Sequence, residues 1–177
     1  VKRGYKLRLF ATKYNPSLGF EPEANIPFEV SSFRSVFFGV WYWILRKPIL
    51  VIILLIEAFK YKGVIELLLA LSWADSLKKN DVEIIHCAFG DRKYFVGYFL
   101  RRLTGLPLTV AIHAHEIYAQ PNPKLFRQSL KYTAGILTIS EKNKKLLCEK
   151  YGLAKLDVNM IRLSIDLDFW QRSPRDI

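Results

Sequence analysis

The chain has 177 residues, about one domain's worth, and 51% of them are hydrophobic, which excludes a wholly disordered protein. Its 27 Lys and Arg against 16 Asp and Glu give a net charge of +11, which points to an anionic partner: nucleic acid, a phosphorylated substrate or an anionic membrane. Cys87 and Cys148 lie far apart and in no metal-like spacing, so a reduced cytosolic protein is the simpler interpretation.

The first residues predict the end of a helix followed by a strand. Val1–Arg3 supplies basic residues that suit a helix C-terminus, and Gly4 supplies the left-handed position behind it. Tyr5–Thr12 then alternates as a strand does. Because a domain is not expected to begin inside a helix, we expect that a strand and most of a helix precede this chain.

Residues 31–80 predict a helical insertion. Val36–Leu45 and Ile49–Ile56 are almost wholly apolar, Arg46-Lys47-Pro48 separates them, and a third helical segment covers Val64–Lys79. A membrane-spanning helix needs about 20 apolar residues, and two charges with a proline near the middle favour two short helices instead. Three interpretations stay open: a membrane span, helices buried in the domain, or a helix pair resting on a bilayer.

Peripheral membrane binding is the interpretation that we favour among the three. Trp41, Tyr42 and Trp43 are residues that prefer the headgroup region, and Arg46 and Lys47 at the bend attract anionic lipid. We therefore expect a cytoplasmic protein, peripheral at the inner face of the cell membrane. Its binding to anionic vesicles should weaken in salt and when Arg46 and Lys47 are replaced together.

From residue 82 onward the pattern alternates between strands and helices. The predicted strands are Val82–Cys87, Leu108–His113, Gly135–Ser140 and Val158–Leu163, and the predicted helices are Tyr94–Leu103, Lys124–Tyr132 and Glu141–Tyr151. Strands alternating with helices of this length indicate βαβ units and a parallel sheet. The predicted fold class is therefore α/β, with a Rossmann-like parallel sheet and helices on both faces.

Polar residues follow the strand that ends near Ile112, at the sheet edge where open α/β folds bind ligands. His113, His115 and Glu116 are the candidates, and positions two apart share a face if the backbone stays extended. Glu116 could orient an imidazole or cap the next helix. His86 stands near the end of the preceding strand, and a zinc site built from these four residues is conceivable, although nothing in the spacing demands it.

Other polar residues have simpler structural explanations. Asp91 is predicted to cap the helix after it, and Arg92 could reach an anionic acceptor or remain solvated. Ser140 is predicted to cap Glu141–Tyr151, with a contact to the cleft as the alternative. Lys142-Asn143-Lys144-Lys145 is predicted to be a solvated helix face.

Five segments in order resemble the amino-terminal half of a family 4 glycosyltransferase: Ile85–Gly90, Thr104–Pro107, Ala111–Tyr118, Ala134–Ser140 and Ile161–Phe169. The resemblance covers nearly the whole chain and is closest to members that build bacterial exopolysaccharide or lipopolysaccharide. It implies the GT-B fold, in which two Rossmann-like domains face each other across a cleft. In that family a carboxy-terminal domain with a paired-glutamate motif binds most of the nucleotide-sugar.

The resemblance implies the following organisation. Residues 1–170 would form the acceptor-side domain without its first strand, residues 171–177 would start the interdomain linker, and the donor-binding domain would be absent. Such a fragment should not transfer sugar by itself, because catalysis needs both substrates in register. The intact enzyme would move a sugar from a nucleotide-sugar to a lipid-linked or polysaccharide acceptor, with retention of configuration.

The family histidine after the strand matches His113, which the resemblance makes the catalytic residue. An imidazole there can bind a sugar hydroxyl and support the charge that develops during transfer. Substrate contacts are expected from the other candidates: His115, Glu116, His86, Arg92 and Ser140. No metal and no cofactor besides the nucleotide-sugar are expected. The alternative is a non-enzymatic, membrane-associated module that binds anionic lipid; nucleic-acid binding lacks any recognisable motif.

Overall fold

The computed structural model of the protein describes residues 6–12, 26–154 and 157–161. The predicted helix end at Val1–Gly4 and the expected linker at 171–177 lie outside these residues. The elements in chain order are β1 (Leu9–Ala11), β2 (Phe28–Val30), α1 (Phe33–Arg46), α2 (Pro48–Lys60), α3 (Val64–Lys79), β3 (Ile85–Cys87), α4 (Arg92–Thr104), β4 (Leu108–Ile112), α5 (His115–Tyr118), α6 (Pro123–Leu130), β5 (Gly135–Thr138), α7 (Glu141–Tyr151) and β6 (Val158–Met160).

The strands form two parallel sheets. The larger sheet has the order β3-β4-β5-β6, and its register pairs Ile85 with Leu108, Thr109 with Gly135 and Ile136 with Val158. The smaller sheet pairs β1 with β2, also in parallel. Helices connect the strands of the larger sheet, as parallel pairing requires. The predicted class, α/β with a Rossmann-like parallel sheet, is confirmed.

One face of the larger sheet packs closely against α4. Along β4, Leu108, Val110 and Ile112 are fully buried, while the alternate residues are half-buried, as the period of two in a strand requires. A side chain at Gly97 of α4 would place its Cβ only 2.4 Å from the Cys87 sulfur. The helix therefore lies against the strands at a distance that only glycine permits at this position.

The apolar segment between residues 31 and 60 forms two short helices, as predicted. Ser32 caps α1 by accepting a hydrogen bond from the Ser35 amide, and Pro48 begins α2 at the position that proline tolerates best. Across residues 6–12, 26–154 and 157–161, no helix is both long and apolar enough to cross a membrane.

The aromatic residues of α1 do not all share one environment. Trp41 is exposed, but Trp43 is fully buried, and the ammonium groups of Lys78 and Lys47 lie 5.2 and 5.8 Å from its ring centre. The two residues are 200° apart around a helix that turns about 100° per residue. The expectation that Trp43 faces a bilayer beside Trp41 is therefore wrong.

A polar cluster anchors α2 to the rest of the domain. Glu57 accepts hydrogen bonds from Arg102 at 2.9 Å, from Gln128 at 2.9 Å and from the Tyr98 hydroxyl. The Arg102–Glu57 ion pair is largely buried, with 16% and 12% of the side chains exposed. Because a buried charge is stable only when its partners are in place, this cluster fixes which side of α2 faces inward.

Candidate active site

His113 follows β4 directly and lies at the carboxyl edge of the larger sheet. Its half-buried side chain lines a small, shallow pocket of about 120 Å³ together with residues from β4, from β5 and the position after it, and from the position after β6: Ala111, Leu137, Thr138, Ile139 and Ile161. The pocket is mostly apolar, and the imidazole supplies a polar group at its edge. This arrangement can hold part of a small ligand and direct one hydrogen bond to it.

Two buried side chains hold the backbone at the end of β4. The Thr138 hydroxyl donates to the Ile112 carbonyl at 2.8 Å, and the Asn143 amide group donates to the His113 carbonyl at 3.1 Å. Both side chains are buried, with 2% and 5% exposure. The prediction that Asn143 belongs to a solvated helix face is wrong, because α7 turns this residue toward the sheet.

Ser140 acts on the site through Asn143. Its hydroxyl accepts the backbone N–H of Asn143 at 3.2 Å, which is the predicted helix cap of α7. The cap fixes the first turn of α7, and that turn carries the Asn143 side chain to His113. The predicted cap is thus confirmed, and the bond gives Ser140 an indirect connection to the site.

Phe89 is a site residue that the sequence alone did not reveal. Its ring centre lies 5.1 Å from that of His113, and 44% of its surface is exposed. The Lys93 ammonium lies 4.8 Å from the ring centre and pairs with Asp91 at 2.9 Å. An exposed aromatic ring beside an imidazole gives the pocket edge an apolar surface next to a hydrogen-bonding group. The indication available in the sequence was that Phe89 lies two residues after β3, at the edge of the sheet where His113 also lies.

Glu116 connects two loops of the site. It is 3% exposed, and one carboxylate oxygen accepts the Gly90 N–H at 3.1 Å. Gln120, which sequence reasoning also missed, donates to the Gly90 carbonyl at 2.9 Å. A Cβ at Gly90 would lie 3.1 Å from the Phe126 ring, so the loop packs tightly here. Glu116 therefore ties the loop after β3 to the loop after β4.

His115 does not share a face with His113 along a strand. The extended backbone ends at Ile112, and His115 is the first residue of the short helix α5, where its side chain is exposed. The extended spacing assumed for these two residues is therefore wrong, and the helix directs Glu116 inward instead.

His86 faces the more open side of the sheet. His86 is one residue before the end of β3, and its Nδ1 lies 2.9 Å from the Thr109 hydroxyl on the neighbouring strand β4. Partial burial lowers the pKa of its imidazole below the ordinary value of 6.5. The imidazole of His86 is thus hydrogen-bonded to a residue of β4.

Arg92 is the first residue of α4 and pairs with a buried acid. Its Nε donates to Glu66 at 2.7 Å, and the Glu66 side chain is only 8% exposed. Asp91 accepts the Lys93 N–H at 2.9 Å, which confirms the predicted cap. The Arg92 side chain remains 48% exposed, so Arg92 contacts solvent while it joins α3 to α4.

The described residues contain no cluster of three or more His, Cys, Asp or Glu side chains that could hold a metal ion. At the end of β3, burial raises the pKa of the Cys87 thiol to about 12, so this sulfur stays protonated and is a poor nucleophile. His113, beside the Phe89 ring, is the group at this edge that can hydrogen-bond a ligand in the pocket.

Comparison with protein families agrees with this geometry. The sequence profile described as Glycosyltransferase Family 4 matches residues 1–169. Comparison with curated proteins gives no match. The match spans all the elements of both parallel sheets and the loop that carries His113. This chain belongs to glycosyltransferase family 4.

Proposed function

We propose that the site at the carboxyl edge of β4 takes part in sugar transfer from a nucleotide-sugar to an acceptor, with His113 as the catalytic residue. The observation that carries the proposal is the position of a half-buried imidazole directly after β4, at the edge of a pocket and against the exposed Phe89 ring. Family membership supplies the reaction class, and transfer with retention follows the family resemblance.

The charge of the chain and its family support a choice of acceptor class. A net charge of +11 favours substrates that carry phosphate, and both a nucleotide-sugar and a lipid-linked glycan do so. We propose a lipid-linked or polysaccharide acceptor, and hence a role in polysaccharide biosynthesis. His115 at the start of α5 and Arg92 and Lys93 at the start of α4 have exposed side chains and are the candidates for contacting the acceptor.

Replacing the imidazole tests the proposal. In the intact enzyme, His113→Ala should lower the rate of transfer about 10²-fold or more, because one group that stabilises the transition state is lost. Release of nucleoside diphosphate from the nucleotide-sugar measures the rate, and thermal unfolding checks the fold. His115→Ala, the same change two residues along, should cost less because that side chain is exposed. A folded His113→Ala enzyme with the unmodified rate would refute the assignment.

A second candidate function is a non-enzymatic module that binds a membrane. It is favoured by the large exposed apolar surface of α1 and α2. The two candidates differ in one measurement: an intact protein that binds lipid but turns over no nucleotide-sugar supports the second. A protein that does both supports transfer at a membrane surface.

A further inference from the structure

The outer side of α1 is apolar and exposed. Five large side chains on one arc of this helix are between 52% and 88% exposed: Phe33, Phe37, Phe38, Trp41 and Leu45. The opposite side packs on α3 so closely that a Cβ at Gly39 would lie 2.5 Å from the Leu71 carbonyl oxygen. Since α1 is fixed on α3 by that contact, its apolar arc points away from the core.

The outer side of α2 is also apolar and exposed. Its exposed residues recur at helical spacing, and each is between 48% and 75% exposed: Ile49, Ile52, Ile53, Ile56 and Phe59. Val51, Leu54 and Ala58 on the other side are buried. The one acid of this helix, Glu57, is bound to Arg102. We call the ten exposed residues of α1 and α2 the apolar face.

The charges around the apolar face are almost all positive. Residues 33–62 contain five cations (Arg34, Arg46, Lys47, Lys60 and Lys62), and all five are exposed. Arg34 lies beside Phe33, Phe37 and Phe38 in a shared depression. The surface therefore offers apolar side chains beside cations and no exposed carboxylate in this segment.

We propose that the apolar face is the surface by which this protein lies on an anionic lipid bilayer. Lipid matches both properties, because acyl chains accept the apolar side chains while anionic headgroups attract the cations beside them. A second copy of this chain fits poorly, since pairing the two faces would bring five cations of each copy together. The inference is independent of the proposed reaction, because it requires no substrate.

Binding to a bilayer would turn the apolar face toward the lipid. An interfacial helix rests in the membrane plane with its apolar side about 5–10 Å below the headgroups. Trp41 lies on the apolar face and would enter the lipid, whereas Trp43 and Trp73 are buried in the protein and would not. Membrane contact should therefore change the environment of Trp41 selectively among these three residues.

A pair of matched substitutions tests the surface. Ile52→Glu puts a charge on the apolar face at a site that is 56% exposed, and Ile84→Glu makes the same change at a 53% exposed site outside it. With the intact protein and vesicles of phosphatidylcholine and phosphatidylglycerol, Ile52→Glu should lower binding about tenfold or more, because a buried isoleucine is lost from the lipid. Ile84→Glu should bind like the unmodified protein.

Two further measurements test the cations beside the apolar face and Trp41 separately. Replacing Arg46 and Lys47 together by Gln should lower binding to anionic vesicles by roughly 5-fold per cation, and added salt should do the same to the unmodified protein. Vesicles with brominated acyl chains should quench part of the tryptophan fluorescence, and Trp41→Phe should reduce that quenching.

Several outcomes would overturn the proposal. Equal loss of binding for Ile52→Glu and Ile84→Glu, or quenching that Trp41→Phe leaves unchanged, would show that another surface meets the lipid. No vesicle binding, with a dimer in analytical ultracentrifugation that Ile52→Glu dissociates, would assign the apolar face to a second copy. No vesicle binding by a monomer would likewise reject the bilayer. Activity on a water-soluble substrate does not bear on any of these outcomes.

Discussion

At the scale of single residues, the loop that carries His113 depends on a side chain from another element. Asn143 is buried, and its amide is the donor that reaches the His113 carbonyl from α7. If His113 is the catalytic residue, as proposed above, this hydrogen bond holds it in the geometry that the reaction needs, and displacements near 1 Å can cost a large part of the rate. We regard Asn143 as a positioning residue for His113.

The effect of Asn143→Asp follows from this bond. The change keeps the size of the side chain but turns an acceptor oxygen toward the His113 carbonyl, so the loop should shift. We expect about a tenfold lower rate of transfer, in line with one lost hydrogen bond of about 1.4 kcal/mol. The decisive measurement is a double-mutant cycle: in a His113→Ala background, Asn143→Asp should lower the rate no further.

Asn122 provides a matched control for this prediction. It caps α6 and, like Asn143, donates its side-chain amide to a remote carbonyl, that of Tyr61 at 2.7 Å. Asn122→Asp should lower the melting temperature but leave His113 in place. If Asn143→Asp and Asn122→Asp reduce the rate equally, or if the cycle is additive, Asn143 is only structural. The role of His113 would stand in either case, because His113→Ala alone decides it.

His86 gives a prediction about pH. Its pKa is lowered in the folded protein by burial, so below pH 6.5 the unfolded chain binds a proton more readily than the folded chain. The free energy of unfolding should therefore fall as the pH drops through 6.5 toward the folded pKa. Above that range His86 should not contribute to the pH dependence of the free energy of unfolding. NMR titration of the imidazole protons gives the folded pKa directly, and His86→Gln should remove this part of the pH dependence. A midpoint at or above 6.5 would contradict the prediction.

Sequence reasoning located some of these residues and missed others for identifiable reasons. His113 could be found because the apolar run Leu108–Ile112 marks a buried strand and the polar residues follow it. Asn143 was missed because three lysines surround it, and a lysine-rich run usually faces solvent. Its spacing of four from Leu147, which is fully buried, was the indication that it shares the inward side of α7.

At the scale of elements, the close approach of α4 to the sheet makes a prediction about Gly97. Gly97→Ala would force Cβ against the Cys87 sulfur at 2.4 Å and a Leu108 methyl group at 3.0 Å, so the helix must move. Overpacking of this kind costs about 1–3 kcal/mol, which a gain in helix propensity of about 1 kcal/mol offsets only in part. The melting temperature should fall, as measured by circular dichroism.

Two further variants check the cause. Gly135→Ala should be tolerated, because its nearest neighbour would be a Thr109 methyl group at an ordinary 3.6 Å. Cys87→Ala removes the obstructing sulfur and should restore part of the stability that Gly97→Ala loses. If the double variant is as unstable as the sum of both changes, the sulfur contact is not the reason for the glycine.

The helices whose bounds were predicted best are flanked by residues that mark where a helix begins or ends. The bounds of α3 and α7 agree with prediction, since Gly63 precedes the first and Ser140 and Gly152 flank the second. β2 was missed because it has three residues with Glu29 in the middle, too few to establish a period. The short helix α5 was missed because no capping side chain precedes it. Such elements are decided by tertiary packing more than by local sequence.

At the scale of the whole molecule, the fold class could be read from the alternation of strands and helices, but the surface could not. Apolar helices 13 and 14 residues long are compatible with a core position or with an exposed one. The contacts that decide between them, Gly39 against Leu71 and Glu57 with Arg102, join residues far apart in the sequence. Their pairing sets the orientation of both helices, and so the apolar face.

The strand order of the larger sheet has a consequence for how the chain folds while the ribosome makes it. β3, β4, β5 and β6 stand side by side in the order in which they leave the ribosome. Each strand therefore pairs with one that has already been made, and no strand has to be inserted between two earlier ones. Chains fold from the amino-terminal side while they are synthesised, at about 5–20 residues per second. This sheet can grow by one βα unit at a time during translation, each new strand being added at the edge that the previous strand left.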